Sequence, residues 1–290
     1  MSRLKTIILC TGDNFRKWKS TPRIWVLALA ILAFGMWDYG SMSAYAREVY
    51  GGMTSWVLPF SLQSPTMVMV YGCITVAFFC NAPFSDRHMP FLIIRSGRLN
   101  WILGQVLYIV LAAAVYVGFY FLVSVICMLP NVGFANEWGW AEKAMAAGDQ
   151  VLSDYSITLR VDSHIVDYFT PVEATGLMMF LMWGVAVFSG MLIMMFNLIS
   201  KGTLGVAISG ILIFMSYFFF YLGRMFFGEY VLWISPFSWC TMWGVDFWDM
   251  GDRPSFSYAA IVLMVSSVIM AAVSALVYCR RDINVTKEEF

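Results

Sequence analysis

The sequence predicts an all-α polytopic membrane protein with six transmembrane helices, an N-terminal interfacial helix, and re-entrant or interfacial helices before the last span. Three observations carry this. Hydrophobic residues make up 60% of the 290 residues and charged ones only 12%, against about 25% charged in ordinary soluble domains. The mean hydropathy is +0.73. The apolar residues are gathered into long runs separated by polar stretches, and the cores of those runs contain no Asp, Glu, Lys, Arg or His. The whole chain, 1–290, reads as one transmembrane domain.

Residues 1–23 mix Leu4, Ile7, Ile8, Phe15 and Trp18 with six basic residues, which suits a helix lying in the headgroup layer. Gly12 and Asp13 are expected to interrupt it. Pro22 turns the chain into a first span over 24–37, extended toward Tyr45, with Asp38 an unwelcome charge near its outer end. Ala44-Tyr45-Ala46 has the look of a signal cleavage site. The long basic region ahead of the apolar run favours an uncleaved span instead.

Residues 47–64 form a short loop, and a second span over 65–82 is near the lower length limit of about 17 residues. It leads into 81–101, NAPFSDRHMPFLIIRSGRLNW, which Pro83 and Pro90 break and Arg87, His88, Arg95 and Arg98 make basic. An arginine at the centre of a bilayer costs about 2.5–3.5 kcal/mol on insertion scales, so this stretch lies outside the membrane core. Two readings remain open for it, an ordinary positive-inside loop and a docking element for a soluble partner.

A third, uncharged span covers 102–129 and stops at Pro130. The acidic loop 131–171 follows, with a short helix expected within 137–152. Spans four (173–200) and five (203–222) form a hairpin across Lys201 and Gly202, with Ala186/Gly190 and Gly205/Ser209 allowing close backbone approach. The segment 223–256 is too aromatic for a watery loop and too broken by Pro236 and Gly244 for a span. The last span is 256–279. Thirteen basic residues fall on the side of the two termini and five on the other, which puts both termini in the cytoplasm and 131–171 outside.

The chemistry is mostly one of absences. Intramembrane ionisable residues usually mark ion pathways, so ion coupling is disfavoured, although Asn197 or Gln105 could help form a polar site. There is no G-x-x-x-x-G-K-[ST] loop and no H-E-x-x-H. The six cysteines form no CxxC, and His88 and His164 fall in different loops. No enzymatic, cofactor or metal site is expected in this chain.

Taken in order, the basic amphipathic N-terminal segment, the six spans, the short basic loop after span two and the aromatic segment before the last span resemble the type-2 ABC exporter permeases. These are membrane subunits of bacterial ATP-driven exporters. The resemblance covers essentially the whole chain and rests on PFSDR at 83–87, RSGR at 95–98 and SPFSW at 235–239. It implies that 1–23 is the elbow helix and that 83–101 holds a coupling helix docking on a separate ATPase subunit, with Asp86, Arg87, Arg95 and Arg98 at the contact. It also implies that 223–256 holds re-entrant helices closing the outer end of the pathway. ATP and Mg would bind the partner ATPase, a second permease chain would complete a homo- or heterodimer in the bacterial plasma membrane, and nucleic acid has no part. The cargo would be an amphipathic or hydrophobic peptide, lipid or drug. The alternative is a non-transporting scaffold, sensor or immunity subunit that binds a ligand through 131–171.

Overall fold

The computed structural model describes residues 3–48, 52–84, 89–129, 133–148, 159, 161–200, 202–247 and 251–280. Among them the chain is helical, with two isolated β-bridges and no strand. Five helices are long and apolar enough to cross a membrane: α2 (Pro22–Glu48), α5 (Arg98–Met128), α8 (Pro171–Ser200), α9 (Leu204–Phe227) and α10 (Phe256–Arg280). The sixth expected span is shorter. α3 (Pro65–Phe79) has 15 residues, about 22 Å at 1.5 Å per residue, against a hydrocarbon core of about 30 Å. Its start is well specified, because Ser64 accepts from the Met67 N–H at 3.1 Å and Pro65 occupies the first helical position.

α8 is the central element. Of its apolar window 72% is buried, whereas in α10 the figure is 22%, so α10 keeps Ile261, Val265, Val268 and Ile269 facing outward where lipid would be. The expected small-residue contacts are present. Gly190 lies under Ile109 and Phe79, and a side chain at Gly205 would collide with the Ile193 carbonyl of α8. That approach closes the α8–α9 hairpin.

α1 (Arg3–Arg16) is continuous, and the expected break at Gly12 and Asp13 does not occur. A helix-interior glycine costs about 1 kcal/mol relative to alanine, and tertiary docking offsets it. Thr11 donates to the Gly104 carbonyl at 3.0 Å, Asn14 Nδ2 to Gln105 Oε1 at 2.9 Å, and Trp18 Nε1 to the Tyr108 hydroxyl at 2.7 Å. Asp13 pairs with Lys17 at 3.3 Å, an i,i+4 spacing that favours the helix. Leu4, Ile8 and Leu9 remain exposed.

The first span is longer than the sequence suggests. α2 runs through Tyr45 to Glu48, so Asp38 sits in the body of the helix rather than at its end.

The contacts sort the bundle into two ends. At one, α1 lies along the start of α5, Trp101 stacks on Tyr278 of α10 with centroids 4.9 Å apart, and Arg98 donates to the Cys279 carbonyl at 3.3 Å. The turn after α3 also lies here, since Asn197 of α8 donates to the Ala82 carbonyl at 2.8 Å and accepts from the Gly205 N–H at 2.9 Å. We call this the terminal end.

A folded lobe occupies the other end. Residues 52–64 thread through it with Met53, Val57, Leu58 and Phe60 buried. They bond to the stretch after α5, Ser55 N–H to Gly133 O and Gly133 N–H to Met53 O, each at 3.0 Å. The helix expected within 137–152 is the shorter α6 (Trp140–Ala146), followed by α7 (Ser163–Tyr168). Buried Trp138 donates to the Phe169 carbonyl at 2.7 Å and packs on Phe60.

Past α9, whose last turns include a π segment at Phe219–Gly223, the chain forms three short 3-10 turns: Glu229–Ile234, Pro236–Cys240 and Met242–Gly244. Trp239 is 2% exposed and donates to the Leu232 carbonyl at 2.7 Å. The Pro236–Cys240 turn packs against α3, α8 and α9. The segment is therefore neither a solvated loop nor a further crossing helix.

Candidate functional site

The expected coupling stretch contains a separate short helix, α4 (Met89–Ser96), between α3 and α5 at the terminal end. Its boundaries are set locally. Gly97 adopts a positive φ of 81°, a backbone conformation that glycine takes without steric cost, and its N–H caps α4 by donating to Ile93 O at 2.8 Å. Asn100 Nδ2 then donates to Ser96 O at 2.8 Å and fastens α4 to the first turn of α5.

α4 has two faces. Ile93 is 5% exposed, whereas Phe91 is 73% and Ile94 84% exposed, with Arg95 beside them. Of the four expected contact residues, Arg95 is on this exposed face. Arg98 is half-buried and ties α5 to the end of α10. Asp86 and Arg87, with His88, lie outside the described residues, as does Lys201. Reading the stretch by its charges passed over Phe91 and Ile94. The signal that could have found them is an amphipathic octamer, MPFLIIRS, outside any span.

The two polar residues singled out as a possible intramembrane site are not brought together. Gln105 is taken up by Asn14 and Asn197 by Ala82 and Gly205, each fastening the terminal end. A polar cluster among α3, α5 and α8 is instead built from tyrosines. Tyr71 of α3 donates to Met182 O at 2.7 Å, Thr75 Oγ1 lies 3.0 Å from the Tyr116 hydroxyl, and Tyr120 packs edge-on to both Tyr71 and Tyr116. Its sequence signal was Tyr116 and Tyr120, four apart on one face of α5.

In the lobe, Glu142 is fully buried and its Oε1 accepts from both the backbone N–H and the hydroxyl of Thr54. Burial pushes its pKa up, and the Thr54 bonds pull it part of the way back. A second cluster joins Arg224 and Arg253 through Glu229, with both guanidiniums against the Trp243 ring at 4.1 and 4.2 Å.

Among the described residues no three His, Cys, Asp or Glu side chains come together as a metal site. The assembled groups present an exposed apolar and basic helix face at one end, and polar and aromatic surfaces at the other. Compared with protein-family models, with curated proteins and with solved structures, the chain matches none. Five apolar helices make it a membrane-embedded protein.

Proposed function

We propose that this chain is the membrane permease subunit of an ABC transporter, exporting an amphipathic or hydrophobic substrate with energy from ATP hydrolysed on a separate subunit. The observation that carries the reading is α4, a short helix at the basic, terminal end that turns Phe91, Ile94 and Arg95 outward. An apolar pair of this kind, 73% and 84% exposed, is the type of knob a soluble partner accepts in a groove. Arg98 and Trp101 connect the same turn to α10, so force applied at α4 reaches two long helices directly.

On this reading α3 makes a sixth crossing. Its first residues follow the lobe, and the turn at its far end is held by Asn197 at the terminal end. The shortfall in length is met by local thinning or by the turn at 80–84, each at a modest cost. The buried Pro236–Cys240 turn enters from the outer side as a re-entrant element. Non-helical backbone is tolerated at such depth where protein covers it, and Phe237, Trp239 and Cys240 are all buried. Both termini are cytoplasmic in a bacterial plasma membrane, and two permease chains with two ATPases form the working unit.

The packed lobe favours one other reading, a non-transporting sensor or immunity subunit that binds its ligand outside. Affinity purification of the intact chain from its own membranes separates the two. The transporter reading expects a P-loop ATPase without spans of its own to copurify stoichiometrically. Its absence, with ligand retained on the lobe, would establish the alternative.

A further inference from the structure

Asp38 lines two cavities where the outer part of α2 faces the residues leading into α3. The larger, of about 290 Å³, is bounded by Trp37, Asp38, Gln63, Ser64, Thr66 and Met67. The smaller, of about 30 Å³, shares Asp38 and Met67 and runs inward between Phe34, Val70, Tyr71 and Tyr120, reaching the tyrosine cluster. The larger volume is near the lower end of small-molecule sites, which run from about 300 Å³.

The carboxylate is held by the backbone. Asp38 accepts from the Leu62 N–H, and Leu62 is the one described non-glycine residue with a positive φ, 56°. That conformation is uncommon for a branched side chain and usually has a local reason. Here it turns an N–H onto the carboxylate while the rest of the group lines the cavity. Among the described residues lining either cavity, Asp38 is the sole charged one. Trp37 is 77% exposed and Phe34 41% exposed beside it, so the site has apolar approaches from the membrane side and a polar rim of Gln63, Ser64 and Thr66.

We propose that this is a binding site for an amphiphilic organic cation: an ammonium group set against Asp38 in the larger cavity, with the attached chain leaving past Trp37 and Met67 along the exposed edge of Phe34. Three features select that class. A carboxylate in the outer part of α2 with no cation beside it among the described lining residues favours a positive headgroup, because a charge removed from water is costly and an opposite charge relieves it. Trp37 at the mouth adds cation–π attraction. The adjoining lining mixes apolar Phe34 and Val70 with tyrosine and serine hydroxyls and, among the described residues, offers no second charge. The proposal deepens the transport reading by naming a cargo class, but binding itself needs no ATPase.

The test uses the full chain purified in uncharged maltoside micelles and titrated with dodecyltrimethylammonium, following intrinsic tryptophan fluorescence. Saturable binding is expected for the wild type, at least tenfold weaker for Asp38→Asn and close to wild type for Asp38→Glu and for the control Asp252→Asn. Dodecylphosphocholine, whose headgroup has no net charge, should bind more weakly than the cation. Thermal midpoints without ligand verify that each variant is folded. Lack of saturation, equal affinity in Asp38→Asn, or equal binding of the phosphocholine would overturn the proposal. The experiment contains no ATPase, so it can fail while the transporter reading holds, and the copurification can fail while this site binds.

Discussion

Replacing Glu142 with alanine removes the acceptor for two donors at once. Thr54 is 3% exposed and donates its backbone N–H and its hydroxyl to Glu142 Oε1, the latter at 2.8 Å. A buried donor left unpaired costs about 1–3 kcal/mol. The hydroxyl can rotate toward another acceptor and the N–H cannot, so a loss of about 2–4 kcal/mol is expected for the lobe. Glu142→Gln keeps an acceptor oxygen and should lose about 1 kcal/mol or less.

The pH dependence has a definite sign. The folded carboxyl has a pKa raised above its unfolded value by burial. Its contribution is then fully present below the unfolded pKa and is lost as pH rises through the folded pKa. Acidification should therefore tighten the lobe in wild type and leave the Gln variant flat. Hydrogen exchange of peptides covering 52–60 and 138–146, corrected for intrinsic rates, measures both effects. Equal loss of protection in the Ala and Gln variants, or weaker wild-type protection at acid pH, would refute the role assigned to Glu142.

Three further outcomes are expected. Asn197→Ala leaves the Ala82 carbonyl and the Gly205 N–H without their side-chain partner; it should destabilise the chain by about 1–3 kcal/mol in unfolding from micelles, and a loss below about 0.5 kcal/mol would place the fastening of the terminal end elsewhere. An Asn14→Ala/Gln105→Ala double-mutant cycle should give a coupling of about 0.5–1.5 kcal/mol, with additive effects showing that α1 is held by other contacts. A cysteine introduced at Glu137 should react with an impermeant thiol reagent in intact cells and one at Ser96 should not; the reverse pattern would invert the topology.

The long spans were legible because a membrane demands uninterrupted apolar runs, and α5, α8, α9 and α10 begin and end within a few residues of those runs. α3 was legible as apolar, but its helix stops at Phe79, and nothing local announces that the turn beyond it is held by Asn197 more than a hundred residues away. Gly12 misled for the same reason, since the bonds that keep α1 continuous come from Gly104 and Gln105. Polar composition marked 131–171 as a loop, whereas Trp138 and Glu142 are buried there against Phe60 and Thr54. In 83–101 the charges drew notice, and only the fold distinguishes buried Ile93 from exposed Phe91 and Ile94. Asp38 was readable as a misplaced charge, but its cavity depends on the loop at 61–64.

If energy enters through α4 as proposed, ATPase retention must depend on its exposed face. Phe91→Asp with Ile94→Asp, and separately Arg95→Glu, are compared with Lys143→Glu, an exposed charge in the lobe, after each has been shown to insert and fold. An interfacial arginine hydrogen-bonded across a contact is worth about 1.5–3 kcal/mol, so at least a tenfold loss of copurifying ATPase is expected for both α4 variants and none for the control. Undiminished ATPase on both α4 variants would contradict it.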